Sequence, residues 1–546
     1  MRSFRLRPLV SRLFVYTHRW LGMLLGALFV GWFVSGIVMM YARMPALETS
    51  ERLSRLPAIS PASIRVAPPA PADGDIARLV INTVETRPVY RITAKGRTQS
   101  IFADTGDAVP VVDAEQAMRI ARAFDGSHHT LRYDARLTDA DQWSFGVRGR
   151  MPLHRVDVDD EAGTVLYVTE NTGEVVLKTT ASGRLWGGAG AVMHWLYFTP
   201  FRRLSNVWAQ SIIWLSIAGT VMCIIGIVWG LWRLAPMRGY RLRDHRQWSP
   251  YASWMRWHHY AGLIFGVVSI TWAFSGAMSL DYPVDFRNQP PTPAQRTAVS
   301  RSPLRLEEVT VARMRAALDV LRPSFTPKEL DVLQFQGEPY FIGARPPAPY
   351  DYAREVGSND ERNQRLERPE HLIVAALRPE RGAFRRFPDD SMWTIGKAAM
   401  PDVPVRDAAW LTEYDAYYYD QYGNRPLPVL RVRYADDYGT WLYLEPGRGT
   451  ITKQDRGGRM NRWLYHGLHS LDFPFLYRRR PLWDLVLIAL SVGGLVLSAS
   501  TLLPSWRRLA RHVRHARRAL APARATTKAG TTKAAFGREH EAHEAN

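Results

Sequence analysis

The sequence contains almost no cysteine. Cys223 is the single one among 546 residues. This excludes an internal disulfide framework, a cysteine-rich metal or iron–sulfur site and a covalently attached c-type haem. The sequence also lacks a P-loop, a dinucleotide-binding fingerprint after a strand and the HExxH motif of zinc hydrolases. It therefore shows no sign of a nucleotide-binding, flavin or hydrolytic metal domain.

Acidic residues are outnumbered, with 51 Asp and Glu against 71 Lys and Arg and a net charge of +20. Residues 1–41 carry five Arg and no acid, 207–280 carry six Arg against one Asp, and 482–546 carry ten basic residues against four acids. The long segments 42–206 and 281–481 are nearly balanced, at 20 basic against 19 acidic and 30 against 27. This pattern follows the positive-inside rule of membrane proteins. We therefore attribute the basic excess to membrane topology and expect no nucleic-acid partner.

Long uncharged runs are present instead. Four of them are long enough to cross a bilayer as helices: Trp20–Tyr41, Val207–Trp232, Tyr260–Leu280 and Leu485–Pro504. Most of their ends carry aromatic residues, as is typical of membrane interfaces. The charge distribution then places both termini and the loop 233–256 in the cytoplasm. The sequence predicts a multi-pass protein embedded in a lipid bilayer.

The expected fold is a membrane protein with four transmembrane α-helices in an internally duplicated arrangement and two periplasmic α+β modules. The predicted units are the N-terminus and first helix (1–41), the first module with an interfacial histidine segment (42–206), the second helix (207–232), an Arg-rich cytoplasmic loop (233–256), the third helix (257–280), the second module with its histidine segment (281–481), the fourth helix (482–505) and a basic, largely disordered tail (506–546). Residue patterns predict helices at 114–124 and 306–321 and strands at 143–147, 153–158, 164–168, 329–335, 340–344, 371–377, 429–434 and 440–445.

The two halves repeat a histidine pattern. The first span opens H-R-W-L-G-x-x-x-G from His18, and the third opens H-H-Y-A-G-x-x-x-G from His258. Later in these spans Ser35-Gly36 matches Ser275-Gly276. His194 and His469 precede the second and fourth spans in matching segments. The chain therefore reads as a duplicated unit.

Histidines at membrane depth indicate function, and facing imidazoles in a helical bundle are a usual way to hold a b-type haem. Two axial histidines leave the iron no open position, which favours electron transfer. The sequence thus predicts two b-type haems, with their iron bound by His18, His258, His194 and His469, and no other catalytic residue.

Alternatives stay open. His259 lies beside His258, and His466 lies three residues before His469, although the repeat favours His258 and His469. His466 and His469 are also a candidate zinc or copper pair. Arg19, Arg202, Arg203 and Arg478–Arg480 are candidates for contact with haem propionates or lipid headgroups. The Tyr-rich segment 413–425 is either a platform for an aromatic ligand or a structural loop.

The motifs H-R-W-L-G, W-H-H-Y-x-G and L-H-S-L-D-F-P closely resemble those of the PepSY-associated transmembrane family, and residues 114–176 are similar to a PepSY module. The resemblance implies a protein of the bacterial inner membrane linked to iron uptake, similar to di-haem ferric-siderophore reductases with periplasmic substrate sites. It implies haem roles for the same four histidines. A flavin or NADPH domain, fused in some relatives, is not recognisable here, so we expect a separate cytoplasmic reductase or a quinol as electron donor.

The expected function is therefore electron transfer from the cytoplasmic side to a periplasmic ferric siderophore or other ferric chelate, which releases Fe(II) for uptake. Oxygen chelators hold the hard ferric ion more tightly than ferrous iron, so reduction favours release. Two other functions fit the sequence. One is a non-redox PepSY sensor or peptidase-inhibitor-like membrane binding protein, and the other is a haem reductase for a different periplasmic acceptor.

Overall fold

The computed structural model describes residues 3–71, 75–126, 128–237, 239–242, 245–282, 286–347, 369–419 and 425–520. Within these ranges the α-helices are α1 (Ser3–Met39), α2 (Thr49–Arg55), α3 (Ala114–Asp125), α4 (Ala181–Gly187), α5 (Met193–Trp195), α6 (Thr199–Arg203), α7 (Ser205–Arg233), α8 (Ser253–Met278), α9 (Pro293–Ser300), α10 (Val311–Leu321), α11 (Asp389–Ala398), α12 (Arg456–Asn461), α13 (Leu468–Ser470), α14 (Pro474–Tyr477) and α15 (Leu482–Leu520).

Helices α1, α7, α8 and α15 are long and apolar enough to cross a bilayer, which confirms the four predicted spans. Helix α1 packs against α7 and α15, and α8 packs against the same two helices. Gly493 and Gly494 on α15 leave room for the rings of Phe265 and Phe33, because a Cβ at either glycine would lie 2.3 Å from a ring carbon. Small residues thus bring three of the four helices close together.

The last helix is longer than the predicted span. It continues through Pro504 to Leu520, so it includes the first part of the basic tail, where the Arg- and Ala-rich sequence predicts an interfacial helix that gives way to disorder. The remainder of that tail, 521–546, lies outside the described residues. Part of the Tyr-rich segment, 420–424, lies outside them as well.

The segments between α1 and α7 and between α8 and α15 are rich in strands. The strands are β1 (Ile76–Val84), β2 (Arg87–Ala94), β3 (Arg97–Phe102), β4 (Leu131–Leu137), β5 (Leu153–Val158), β6 (Val165–Thr169), β7 (Val175–Thr179), β8 (Tyr240–Leu242), β9 (His245–Gln247), β10 (Glu329–Phe335), β11 (Glu338–Arg345), β12 (Glu370–Ala375), β13 (Val405–Leu411), β14 (Val429–Tyr434), β15 (Trp441–Glu445) and β16 (Thr450–Gln454). Strands β4–β7 form one four-stranded sheet and β13–β16 another, which agrees with the expected α+β character.

A third sheet joins the two segments. Its six strands run in the order β12-β11-β10-β1-β2-β3, and β1 pairs antiparallel with β10, with Leu79 opposite Val332 and Ile81 opposite Leu330. Leu79, Ile81 and Leu330 are fully buried. The two modules therefore share one sheet and one hydrophobic core. We call the end of the helix bundle that carries them the domain end, and the end that carries the short connection 234–252 the loop end.

The predicted strand at 143–147 is wrong. This segment forms a 3₁₀ turn at Ser144–Arg150. The Asp141 carboxylate accepts hydrogen bonds from the backbone N–H groups of Trp143 and Ser144, at 3.0 and 2.9 Å. Such local side-chain bonds favour a turn over a strand.

Candidate functional site

Two pairs of histidines face each other inside the helix bundle. His18 on α1 and His258 on α8 form the loop-end pair, with ring centroids 6.1 Å apart. His194 on α5 and His469 on α13 form the domain-end pair, with ring centroids 5.9 Å apart. The sequence repeat matched His18 with His258 and His194 with His469, and the structure brings each matched couple together.

Each pair lines its own cavity. The loop-end cavity has a volume of about 430 Å³ and the domain-end cavity about 460 Å³, both within the range of about 300–1,000 Å³ that is common for cofactor sites. Phe29 and Ser269 line both cavities, so these two side chains form part of the wall between them. The two pairs thus occupy two adjacent chambers within one bundle.

The four imidazoles share one hydrogen-bonding pattern. The Nδ1 atom of His18 bonds the carbonyl oxygen of Met222 at 2.9 Å, and that of His258 lies 3.3 Å from the carbonyl oxygen of Leu497 and 3.1 Å from the Ser500 hydroxyl. At the domain end, Nδ1 of His194 bonds the Ser35 hydroxyl and Nδ1 of His469 bonds the Ser275 hydroxyl. All four rings are held through Nδ1, as is usual for metal-binding histidines whose Nε2 is the ligand atom.

The supporting structure is duplicated as well. A π-helical turn precedes each domain-end histidine, at Gly188–Val192 and at Arg462–Gly467. Two residues after each histidine, Leu196 and Leu471 adopt left-handed backbone conformations, with φ of 52° and 49°. Leucine rarely adopts this conformation, and strained residues concentrate at functional sites.

The helix that follows each histidine segment is attached in the same way. The Trp208 Nε1 group on α7 donates to the carbonyl oxygen of Trp195, and the Trp483 Nε1 group on α15 donates to that of Ser470. Each accepting residue directly follows a domain-end histidine. The chain therefore holds both histidine segments by the same means.

The alternates His259 and His466 occupy different positions from the four paired histidines. Both ring nitrogens of His259 are engaged, Nδ1 with the Ser249 hydroxyl and Nε2 with the carbonyl oxygen of Gly230, each at 2.8 Å. His466 lines an open cleft beside the domain-end cavity, whereas His469 lines the cavity itself. The geometry therefore favours His258 over His259, and His469 over His466, as the residue that binds a ligand placed between the two rings of a pair.

Glycines give the loop-end pair its space. The cavity is lined by glycines from three helices: Gly22, Gly26, Gly226, Gly230, Gly262 and Gly266. A Cβ on Gly226 would lie 2.6 Å from Cε1 of His18, so only glycine at this position leaves the ring where it is. The sequence repeat identified the glycines of α1 and α8 but missed the two on α7.

Burial sets the charge of the domain-end pair, whose two residues belong to the short helices α5 and α13 and not to the spanning helices. It lowers the pKa of His194 to about 4. Burial, together with the neighbouring His194 and His466, lowers the pKa of His469 to about 3. Both imidazoles are therefore neutral near pH 7.

A cleft of about 600 Å³ opens beside the domain-end cavity, and Ser279 and Tyr465 line both. Its other polar lining includes Arg462, His466 and Asp472. Arg462 is 5% exposed and Asp472 4% exposed, and the two form an ion pair in the wall of the cleft. The cleft therefore adjoins the cavity that His469 lines.

Comparison with known proteins adds the family. Residues 15–508 match the family described as the PepSY-associated TM region. The chain belongs to this family. No curated protein sequence matches it.

In this PepSY-associated chain the histidine pairs fit a haem. A metal ion bound at about 2 Å by one nitrogen of each imidazole, with about 1.1 Å from each nitrogen to its ring centre, separates the ring centres by about 6 Å. The measured 6.1 and 5.9 Å meet this requirement. Adjacent cavities and glycine-lined helix faces supply the room that a flat macrocycle needs.

In this PepSY-associated protein the sequence did not indicate how the segment at His194 is held against α1. Besides the Ser35 bond, the Trp32 Nε1 group donates to the carbonyl oxygen of His194 at 2.9 Å. Both residues belong to a W-x-x-S-G motif, 32–36 and 272–276, that is present in each half. The Ser-Gly part of this motif belongs to the predicted repeat, and the tryptophan is an equally visible signal in the sequence.

Proposed function

We propose that this PepSY-associated protein carries electrons across a membrane through two b-type haems and reduces a ferric chelate, such as a ferric siderophore, at the domain end. The observation that carries the proposal is the duplication of facing histidine pairs, each held through Nδ1 beside its own cavity. In this proposal His18 and His258 would hold one haem, and His194 and His469 would hold the other. A haem bound in this way supplies reversible one-electron transfer.

The protein's own residues prepare the two sites. Carbonyl groups of Met222 and Leu497 hold the loop-end rings, and the Ser35 and Ser275 hydroxyls hold the domain-end rings. Such hydrogen bonds fix ring orientation and raise the basicity of the ligand nitrogen. Phe29 and Ser269 form part of the wall between the two sites.

The proposed direction of electron transfer rests on the distribution of basic residues and on the position of the cleft. Basic residues are concentrated in the termini and the 233–256 connection, so we assign the loop end to the cytoplasm and the domain end to the periplasm of a bacterial inner membrane. The donor is then a cytoplasmic reductase or a quinol. The cleft beside His469 is the proposed substrate site, where the one-electron reduction of Fe(III) to Fe(II) weakens binding by oxygen chelators.

The test is the visible spectrum of detergent-purified protein, oxidised and dithionite-reduced, together with the pyridine haemochrome content. We expect a low-spin b-type spectrum and close to two haems per chain. The reduced protein should be reoxidised by a ferric siderophore. A colourless protein, even after expression with added haem, would overturn the redox proposal and favour a sensor or inhibitor-like binding role.

The serine hydroxyls give a finer prediction. Removal of the acceptor for Nδ1–H makes the imidazole a weaker donor to ferric iron. We therefore expect Ser35→Ala and Ser275→Ala to shift the midpoint potential of one haem to a more positive value and to leave the other unchanged, as measured by potentiometric titration. Ser211→Ala is the control, because this half-buried serine on α7 donates to the carbonyl oxygen of Val207 in its own helix and lines neither histidine cavity. Equal shifts in the midpoint potentials of both haems would contradict the assignment of Ser35 and Ser275 to the domain-end haem.

A further inference from the structure

Two arginines lie on the wall of the loop-end cavity. Arg19 follows His18 on α1, and Arg508 lies on the last part of α15. Both side chains are half-buried. The two helices are in contact at this level, where the rings of Trp20 and His512 lie 5.8 Å apart. The arginines are therefore held near each other and near the cavity that contains His18 and His258.

No carboxylate balances these two charges in the part of the chain that the structure describes. Neither arginine lies within 4.0 Å of an Asp or Glu oxygen there, while Arg19 has its guanidinium 5.3 Å from the centre of the Tyr16 ring. The sequence offers few acids for this purpose: residues 1–41 contain none, residues 207–280 contain only Asp244, and the next acid after Asp484 is Glu539. Arg508 is repelled by Arg19 and Arg511.

Half-buried like charges without a counter-ion are unfavourable, and they are stabilised when an anion binds between them. Arginine has the planar donor geometry that suits carboxylates, which it binds through two parallel hydrogen bonds. A b-type haem carries two propionate carboxylates. The cofactor proposed for this cavity thus carries the anionic groups that the two arginines require.

We propose that Arg19 and Arg508 bind the propionate carboxylates of the loop-end haem. The proposal rests on the proposed function, because it requires a haem between His18 and His258. It singles out Arg19 from the arginines considered in the sequence and adds Arg508, which the sequence did not indicate. Arg202, Arg203 and Arg478–Arg480 line neither histidine cavity.

The experiment compares haem retention by the full chain. Arg19→Gln and Arg508→Gln should each speed transfer of the loop-end haem to apomyoglobin about tenfold, in line with loss of a charge-assisted hydrogen bond. Loss of a positive charge should also shift the midpoint potential of that haem to a more negative value. Arg19→Lys and Arg508→Lys keep the charge and should restore most of the potential. Arg12→Gln and Arg507→Gln, exposed arginines on the same helices, are the matched controls.

Haem dimethyl ester distinguishes haem propionate from lipid phosphate as the anion that the two arginines bind. Full-length protein produced under haem limitation is reconstituted with haem or with its dimethyl ester, whose propionates carry no charge. If the arginines bind the propionates, Arg19→Gln and Arg508→Gln weaken retention of haem but have no further effect on the ester. If they bind a lipid phosphate, both porphyrins are affected equally, and the proposal is wrong.

These outcomes are distinct from failure of the proposed function. A wild-type chain that binds no haem removes the basis of both proposals. A wild-type chain with two haems whose retention is unchanged in Arg19→Gln and Arg508→Gln, as in the controls, overturns only the role of the two arginines.

Discussion

Replacement of any one of the four paired histidines by alanine is expected to lower the low-spin haem content from about two per chain to about one. Each haem needs two imidazoles, and the pairs lie in separate cavities. His18→Ala and His258→Ala should affect the same haem, and His194→Ala and His469→Ala the other. The haemochrome assay, combined with low-temperature spectra and potentiometric titration, identifies which haem is lost.

The alternates provide the controls for this experiment. His259→Gln and His466→Gln should keep both low-spin haems, because the Nε2 atom of His259 bonds the Gly230 carbonyl and His466 lies in the cleft. His466→Gln is expected to change the rate of ferric-chelate reduction instead. Loss of a haem in His259→Gln together with its retention in His258→Ala would reassign the ligand.

The second large effect is expected at Gly226, which does not touch iron in the proposed arrangement. An added Cβ would lie 2.6 Å from Cε1 and 3.0 Å from Nδ1 of His18. The His18 ring must therefore shift from the position in which its Nδ1 atom bonds the Met222 carbonyl. Such overpacking costs about 1–3 kcal/mol, which corresponds to about 5- to 150-fold weaker retention of the loop-end haem. Gly226→Ala should thus lower the low-spin content by up to one haem and leave the domain-end haem unchanged.

Two glycines on α1, Gly31 and Gly22, provide comparisons for the Gly226 experiment on α7. Gly31→Ala is the control, because its Cβ would meet only the Met193 sulfur at 3.8 Å, an ordinary contact. At Gly22, on the cavity wall, the Cβ would meet only the Met222 sulfur at 3.9 Å. If Gly22→Ala nevertheless weakens haem retention, the space beside it is occupied by the macrocycle. An unchanged loop-end haem in Gly226→Ala would contradict the position assigned to His18.

The sequence predicted the four spans and the histidine pairing because both depend on local or repeated signals. Apolar runs identify helices directly, and the duplication relates His18 to His258 without knowledge of the fold. The structural distinction between His258 and His259 rests on the bonds of His259 to Ser249, ten residues earlier in the chain, and to Gly230 on α7. Neither contact can be predicted from the local sequence. The roles of Gly226 and Arg508 arise only when α7 and α15 pack beside α1.

The outer segments were harder to predict. The patterns found β5, β6 and most strands of the second segment but missed β1–β3, which turned out to be three strands of the shared sheet. Strand β1 is buried along most of its length, with neighbours from both segments, so it lacks the alternating pattern of a half-exposed strand. Pairing between residues some 250 positions apart cannot be read from local patterns.

The pairing of β1 with β10 also constrains how the protein is made. When β1 leaves the ribosome, its partner strand has not been synthesised, and two membrane-spanning helices, α7 and α8, separate them in the chain. The sheet can close only after both helices have inserted and the second segment has been delivered to the same side of the membrane as the first. Until then the apolar edge residues Leu79 and Ile81 lack their partners. Closure of the shared sheet is therefore coupled to membrane insertion, and during that interval the edge of β1 that later pairs with β10 is open to incorrect pairing.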